Sequence, residues 1–138
     1  MFNTFGAHPG ACAAVAEVLN IMREEHLVDR VAKLGARLSS MLADAFNDHP
    51  HVVECRGRGF LQAIEIVQNR NTLEPFPQAA DITNKIVGSA LRKGVFYYGG
   101  GTGVIRDIVC MGPPFIIEEK DLEKMVGILR ETVDEVAA

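Results

Sequence analysis

Two arginines separated by one glycine follow a strand-like segment and could take part in ligand binding: Arg56 and Arg58. Guanidinium groups bind carboxylates through paired hydrogen bonds, so this pair could hold a carboxylate ligand. The same pattern is also typical of two solvated arginines in a turn. Composition alone favours the solvated turn.

Thr4 precedes a glycine and then Pro9, a proline suited to the first turn of a helix. Proline is tolerated there because the amide hydrogen that it lacks would have no partner within the helix. A hydroxyl beside a helix N-terminus can help to bind a phosphate, since the free amides and the helix dipole favour anions. An ordinary helix-capping role fits the same pattern equally well.

The glycine-rich run Gly99–Gly103 fits neither the dinucleotide-binding pattern nor the phosphate loop that ends in lysine and serine or threonine. It predicts a flexible loop, and loops of this kind often cover binding sites. No serine stands in the elbow motif of the hydrolases, and no cysteine lies beside a histidine at a helix start. The sequence therefore shows no motif for covalent hydrolysis.

The segment His49-Pro50-His51 brings two imidazoles close together in the chain. No cysteine or carboxylate stands at ligand spacing beside them, so the pattern does not indicate a metal centre. Because proline interrupts a helix, the segment is expected to be a surface turn that ends one. No metal site is predicted anywhere in the chain.

The composition indicates a soluble globular domain, since 48% of the 138 residues are hydrophobic and 23% are charged. A formal net charge of −4 gives no electrostatic reason to bind nucleic acid or a membrane surface, so neither is an expected partner. No stretch approaches the roughly 18 apolar residues of a membrane span, and the first residues lack the order of a secretory signal. Three widely spaced cysteines are expected to be buried free thiols in a reducing compartment: Cys12, Cys55 and Cys110. The expected location is the cytoplasm.

Apolar residues at intervals of three and four predict four helices. The predicted positions are from about Pro9, from after His26 to His49-Pro50, over about 79–92, and from Glu118 onward. Acidic residues at the start of the last helix suit the positive end of the helix dipole.

Segments rich in β-branched and aromatic residues predict four short strands, at 52–55, 60–67, 95–97 and 105–111. Arg56–Gly59 is expected to be a turn or bulge, and 68–77 a surface loop. Two long helices thus precede a small sheet that carries two more helices. The predicted fold is α+β with two layers, with a mostly antiparallel sheet of three or four strands.

Three motifs occur in order along the chain: NTFGAHPGACAA at 3–14, VECRGRGF at 53–60 and GPPFII at 112–117. They resemble, in the same order and at fitting intervals, segments of the class III aminotransferases, which are pyridoxal-phosphate enzymes of fold type I and include the ω-transaminases. The corresponding family segments are Thr-Phe/Tyr-x-x-Asn/His-Pro-x-Ala-x-Ala-Ala, Val-x-x-Val-Arg-Gly-x-Gly-Leu, and Pro-Pro-Leu-hydrophobic-Ile before an acidic last helix. The resemblance covers nearly the whole chain.

The resemblance implies the C-terminal part of such an enzyme, with an interdomain and dimer helix segment at 1–25 and the aminotransferase small domain at 26–138. The family's Schiff-base lysine and the aspartate that pairs with the pyridinium nitrogen lie upstream of the first motif, so they would precede Met1. A complete enzyme would use pyridoxal 5′-phosphate to move an amino group between a donor and a keto acid. The chain alone is expected to have no catalytic residue and no activity, and its expected partner is a large pyridoxal-phosphate-binding domain or chain.

Two binding residues follow from the resemblance by position. Thr4 matches the threonine that binds the cofactor phosphate of the neighbouring subunit, which implies a homo-oligomer. Arg106 is the arginine in the stretch where the family places the arginine that holds the substrate carboxylate, although its distance from Pro113 departs from the family spacing. Arg56 corresponds to a residue of the small-domain sheet and is interpreted as structural. A non-catalytic binding or regulatory module that retains the fold remains the alternative.

The first predicted helix is apolar all round at residues 11–16. A helix of that kind is normally buried on every side, and an exposed apolar patch generally marks a partner surface. The isolated chain is therefore expected to self-associate through residues 1–25, most simply as a two-fold dimer.

Overall fold

The computed structural model of the protein describes residues 7–101 and 107–137. Within these ranges the longer elements are α1 (Pro9–Glu24), α2 (Leu27–Phe46), β1 (Val52–Arg58), β2 (Leu61–Ile66), α3 (Ile82–Arg92), β3 (Tyr98–Gly100), β4 (Ile108–Met111) and α4 (Glu119–Ala137). A single 3-10 turn, Gln78–Ala80, precedes α3.

The helices lie where the apolar periodicity predicts them. Pro9 is the first residue of α1, and His8 caps the helix because its ring Nδ1 accepts a hydrogen bond from the Ala11 amide at 3.4 Å. After α3, Gly94 adopts a φ of 87°, which glycine reaches without a steric penalty and which turns the chain back toward the sheet.

The strands differ from the prediction at two places. β1 continues through Arg58, because Arg56 and Gly57 pair with β2 instead of forming a turn. The third strand is Tyr98–Gly100 rather than 95–97, so two glycines of the predicted loop belong to the sheet. Tyr97 is instead buried, and its hydroxyl donates to the Met125 carbonyl of α4 at 2.5 Å.

The sheet has the order β1-β2-β4-β3, and every neighbouring pair is antiparallel. Alternate residues of β2, namely Gln62, Ile64 and Ile66, face helices α2, α3 and α4 and are buried with Val109 and Met111 of β4. The predicted α+β fold of two layers is therefore confirmed. The main members of the core are Leu38, Leu42, Phe46, Ile64, Ile66, Ile82, Ile86, Val109, Leu122, Leu129 and Val133.

Helix α2 contacts the turn between β1 and β2 backbone to backbone. A methyl group on Gly35 of α2 would lie 2.5 Å from the Cα atom of Gly59 in that turn, which is closer than nonbonded carbon atoms approach. Gly59 has a φ of 57°, a conformation that other residues adopt only with strain. The two glycines together set the distance between α2 and the hairpin.

The segment His49-Pro50-His51 is a turn after α2, as the sequence predicts, and Pro50 is exposed, but His49 is not a surface residue. The side chain of His49 is only 2% exposed, and its Nε2 lies 3.0 Å from Oδ1 of Asp134 in α4. Its Nδ1 accepts a hydrogen bond from the His51 amide at 3.1 Å. His49 thus joins the end of α2 to α4, which the local sequence could not reveal because Asp134 is 85 residues away.

Gly35→Ala is expected to lower the free energy of unfolding by about 1–3 kcal/mol, because the added methyl group forces α2 away from the hairpin. Gly127→Ala is the matched control: it lies inside α4, nothing lies within 4 Å of the added methyl group, and alanine should stabilise the helix by roughly 0.5–1 kcal/mol. Urea unfolding followed by circular dichroism measures both changes. An unchanged midpoint for Gly35→Ala would contradict the close contact.

Candidate functional site

Both predicted binding residues, Thr4 and Arg106, lie outside the described residues. Their roles therefore stay predictions. The residues that follow Thr4 and Arg106 in the chain are described. After Thr4, helix α1 begins at Pro9 and its N-cap residue is His8.

The chain beyond Arg106 is fixed to the sheet and to α3 at Asp107. The Asp107 carbonyl accepts a hydrogen bond from the Ile66 amide at 2.7 Å. The hydroxyl of Thr83 in α3 donates to the Asp107 carboxylate at 3.3 Å. Asp107 thus lies at the end of the sheet where β2 ends and β4 begins.

The two arginines of the second motif do not form a paired carboxylate clamp. Arg56 Nη1 lies 2.5 Å from the Glu54 carboxylate and 2.6 Å from the Glu65 carboxylate, which keeps the Arg56 guanidinium bound within the sheet. These acids, Glu65 foremost, raise the pKa of Arg56. Arg58 is exposed at the end of β1. The structural interpretation of Arg56 fits this geometry.

None of the five lysines of the chain has the environment of an amine nucleophile. Four of them, Lys33, Lys85, Lys120 and Lys124, are exposed. Lys93 lies 2.8 Å from Glu131 and 2.5 Å from Glu135, and these two carboxylates raise its pKa. A lysine that attacks an aldehyde needs a lowered pKa and a desolvated pocket, so the ion pair of Lys93 has the opposite effect.

The cysteines are free thiols, but they are not all buried as the sequence predicts. Cys12 is exposed on α1, whereas Cys55 and Cys110 are half-buried in the sheet. Burial raises the pKa of the Cys55 thiol, whose sulfur donates to the Leu42 carbonyl at 3.8 Å. The prediction fails at Cys12 because nothing in the described chain covers that side of α1.

One face of the sheet is left uncovered by the helices. In β2 and β3 this open face carries Leu61, which is 72% exposed, and Tyr98, which is 69% exposed. Both line a mainly apolar groove of about 580 Å³ together with Phe96, Cys110 and Pro113. Sequence reasoning missed this groove. The signal available was that Leu61 lies on the other side of β2 from Ile64 and Ile66.

Helix α1 is the second exposed apolar surface. None of its residues is buried, and a shallow apolar depression of about 350 Å³ runs along Ala11, Cys12, Val15, Ala16 and Leu19. Val15 and Leu19 are each 59% exposed. Apolar surface of this extent is typical of a protein interface.

Among residues 7–101 and 107–137, no group of histidine, cysteine and acidic side chains is arranged to hold a metal ion. In the same part of the chain, no helix combines the length and the apolar character needed to cross a membrane.

Comparison with known proteins gives a consistent result across sequence and structure. Residues 2–133 match the family model for aminotransferase class-III. The chain is 39% identical to an uncharacterised aminotransferase of Schizosaccharomyces pombe, over 99% of this chain and 30% of that protein. It is 31% identical to the putrescine–pyruvate aminotransferase of Pseudomonas aeruginosa, over 98% of this chain and 28% of that protein.

Solved transaminases share the fold at similar coverage. A transaminase from directed evolution by ancestral reconstruction superposes with a TM-score of 0.92 and 34% identity, over 99% of this chain and 29% of that one. The ω-transaminase of Pseudomonas jessenii in complex with PMP superposes with a TM-score of 0.87 and is 31% identical, over 99% of this chain and 29% of that one. The chain spans about 30% of the length of the curated relatives it matches. With its three motifs, its small-domain fold and these matches, the chain belongs to the class III aminotransferase family.

Proposed function

We propose that this chain is the C-terminal small-domain part of a pyridoxal-phosphate-dependent class III aminotransferase, as a fragment or as one chain of a two-part enzyme. The observation that carries the proposal is that the family match covers residues 2–133 of the chain but only about 30% of the relatives' length. The complete enzyme would transfer an amino group from an amino donor to a keto acid. On this proposal the amino donor and acceptor depend mainly on pocket residues in the rest of the enzyme.

The described residues do not form a pyridoxal-phosphate site by themselves. The aldehyde cofactor requires a lysine with a neutral amine in a desolvated pocket. The five lysines of this chain are solvated, apart from Lys93, which is paired with Glu131 and Glu135. The cofactor lysine therefore has to come from the rest of the enzyme, as the family resemblance implies.

Two residues of this chain are assigned to binding roles within the complete enzyme. Thr4 would bind the cofactor phosphate of the neighbouring subunit, and Arg106 would hold the substrate carboxylate. The motif that begins at Asn3 and the start of α1 at Pro9 support the assignment of Thr4. The assignment of Arg106 rests on the family resemblance, and the residue after it, Asp107, is bound to Ile66 and Thr83.

The division into a helical segment at 1–25 and a small domain at 26–138 is supported by burial. No residue of α1 is buried, whereas α2, α3, α4 and the sheet share one core. A helix whose apolar residues remain exposed needs a partner, and the large domain or a neighbouring subunit would supply it. The groove beside Leu61 and Tyr98 would be a second contact surface for that partner.

A non-catalytic binding or regulatory module is the alternative function. The observation that favours it is the self-sufficient core: in the described residues, no buried side-chain nitrogen or oxygen lacks a hydrogen-bond partner. Such a domain could fold and bind without the catalytic part. Co-expression with a large domain distinguishes the two functions, because a module would gain no transaminase activity from it.

The isolated chain is expected to form no covalent adduct with pyridoxal phosphate, because it lacks a desolvated lysine. The measurement is the visible absorption spectrum after incubation with the cofactor and exhaustive dialysis, with a full-length class III aminotransferase as the positive control. A band that survives dialysis and is removed by an amino donor would overturn this expectation.

Adding a chain that contains the large domain is expected to restore activity, and Thr4→Ala should then weaken cofactor binding. Loss of hydrogen bonds to a charged phosphate costs roughly 1.5–3 kcal/mol, which corresponds to about a 10- to 150-fold increase in Kd. The matched control is Thr72→Ala, since residue 72 is exposed in the loop after β2. Equal cofactor affinities for the two variants would remove Thr4 from the site.

The isolated chain is expected to self-associate through residues 1–25, because the apolar residues of α1 stay exposed in the described part of the chain. Leu19→Glu should shift the population toward monomers in light scattering of dilute protein. Leu91→Glu is the matched control, since Leu91 on α3 is 57% exposed and Leu19 is 59% exposed. A wild-type monomer with α1 ordered and resistant to protease would refute the interface and favour the self-sufficient module.

A further inference from the structure

The connection between α2 and β1 contains a buried histidine with both ring nitrogens engaged. We call residues 47–52 the His49 corner. His49 Nδ1 lies 3.1 Å from the His51 amide nitrogen, and His49 Nε2 lies 3.0 Å from Oδ1 of Asp134. An amide can only donate, so Nδ1 must be an unprotonated acceptor. The hydrogen of the neutral ring is therefore on Nε2, from which it is donated to Asp134.

The charged groups near the His49 corner come from two elements, α4 and the loop after β2. From α4, Asp134 accepts from His49 and from Arg130 Nε at 2.8 Å, and Arg130 also donates to the Ala45 carbonyl at the end of α2. From the loop after β2, Arg70 donates to the carbonyls of Asn47 and His49. The hydrogen bond from Arg130, and to a smaller extent the one from His49, lowers the pKa of the Asp134 carboxyl. Burial of the ring and the nearby Arg130 guanidinium therefore lower the pKa of His49, whereas Asp134 acts in the opposite direction.

His51 joins the same corner to the end of β2. Its ring Nδ1 lies 3.2 Å from the Val67 carbonyl oxygen and 3.0 Å from that of Gln68, so this nitrogen carries a hydrogen and donates it. The Val67 amide donates back to the His51 carbonyl at 2.8 Å. The orientation of the His51 backbone is therefore set from both sides, by the ring of His49 and by the end of β2.

We propose that His49 is an acid-sensitive latch. When Nδ1 takes up a proton, it changes from an acceptor into a donor that faces the His51 amide. This change releases the His49 corner from α4 and β2. Two N–H groups that face each other at 3.1 Å repel, because neither of them can accept a hydrogen bond. The ring relieves the conflict by leaving its position, which ends its contact with Asp134. The first pairing residues of β1 and the end of α2 are then released together.

The direction of the pH dependence follows from the burial of the ring. The ordinary histidine pKa is 6.5, and burial lowers the pKa of His49 below that value. Below about pH 6.5 the unfolded chain therefore binds more protons than the folded chain, and stability falls as the pH decreases through the lowered pKa. Above that range His49 contributes no pH dependence. The titration of Asp134, whose pKa is lowered, acts at a more acidic pH.

Urea unfolding of the full chain between pH 7.5 and 5 tests the latch. For wild type we expect the unfolding equilibrium constant to rise on acidification, by at most about tenfold per pH unit for one proton. His49→Gln should remove most of this dependence, because the amide of glutamine can donate to Asp134 but does not titrate. His26→Gln is the matched control, since the His26 side chain is 80% exposed, and it should keep the wild-type slope. The same slope in wild type and His49→Gln would overturn the proposal.

A nuclear magnetic resonance titration of wild type tests the proposal even if His49→Gln fails to fold. The nitrogen shifts of the His49 ring should show the Nε2–H tautomer near neutral pH, and its protonation should coincide with a shift of the His51 amide resonance. A His49 ring that takes up its proton while the His51 amide stays unchanged would overturn the latch. Neither measurement depends on transaminase activity, so the outcome is independent of the proposed function.

Discussion

Helices α2, α3 and α4 pack on the same face of the four-stranded sheet, and this one-sided coverage determines most of what the chain buries. A strand covered on one face buries alternate residues. In β2 these are Gln62, Ile64 and Ile66, of which the two isoleucines belong to the hydrophobic core. The backbone contact of α2 with the β1–β2 turn at Gly35 sets how closely the helical layer approaches. Leu61 and Tyr98 on the opposite face of the sheet and the apolar residues of α1 remain exposed, which agrees with a domain that spans about 30% of its relatives.

The sequence predicts α2, α3 and α4 well because the periodicity of each reflects a single buried side. The strands are predicted less well where neighbouring strands, rather than side chains, decide the structure. Tyr98–Gly100 contains two glycines with no side chain to produce an alternating pattern, yet it pairs with β4. Arg56 and Gly57 resemble a turn in composition but continue β1, because β2 offers a pairing edge and Glu65 binds the Arg56 guanidinium. The burial of His49 depends on α4, which is distant in sequence.

The candidate site is a different case, because Thr4 and Arg106 come from a family resemblance and not from composition or spacing. On the proposed function, the phosphate site is shared between subunits and its lysine lies on another segment, so this chain would hold no complete set of site residues for a pattern to reveal. What physical reasoning could establish was the absence of a suitable amine, and the solvated lysines and the ion-paired Lys93 agree with it. The exposure of Cys12 was mispredicted because its cover, on the proposed function, belongs to another part of the enzyme.

The two tyrosines give the chain a built-in optical probe, since it contains no tryptophan to mask them. They are neighbours in sequence but lie in opposite environments: Tyr97 is buried with its hydroxyl bound to Met125, and Tyr98 is exposed beside the groove. Burial strongly raises the pKa of Tyr97, so its phenol stays neutral while the core is intact. Tyrosine absorbance and emission can therefore distinguish two events in one sample. Covering of the groove changes the surroundings of Tyr98, and loss of the core changes those of Tyr97.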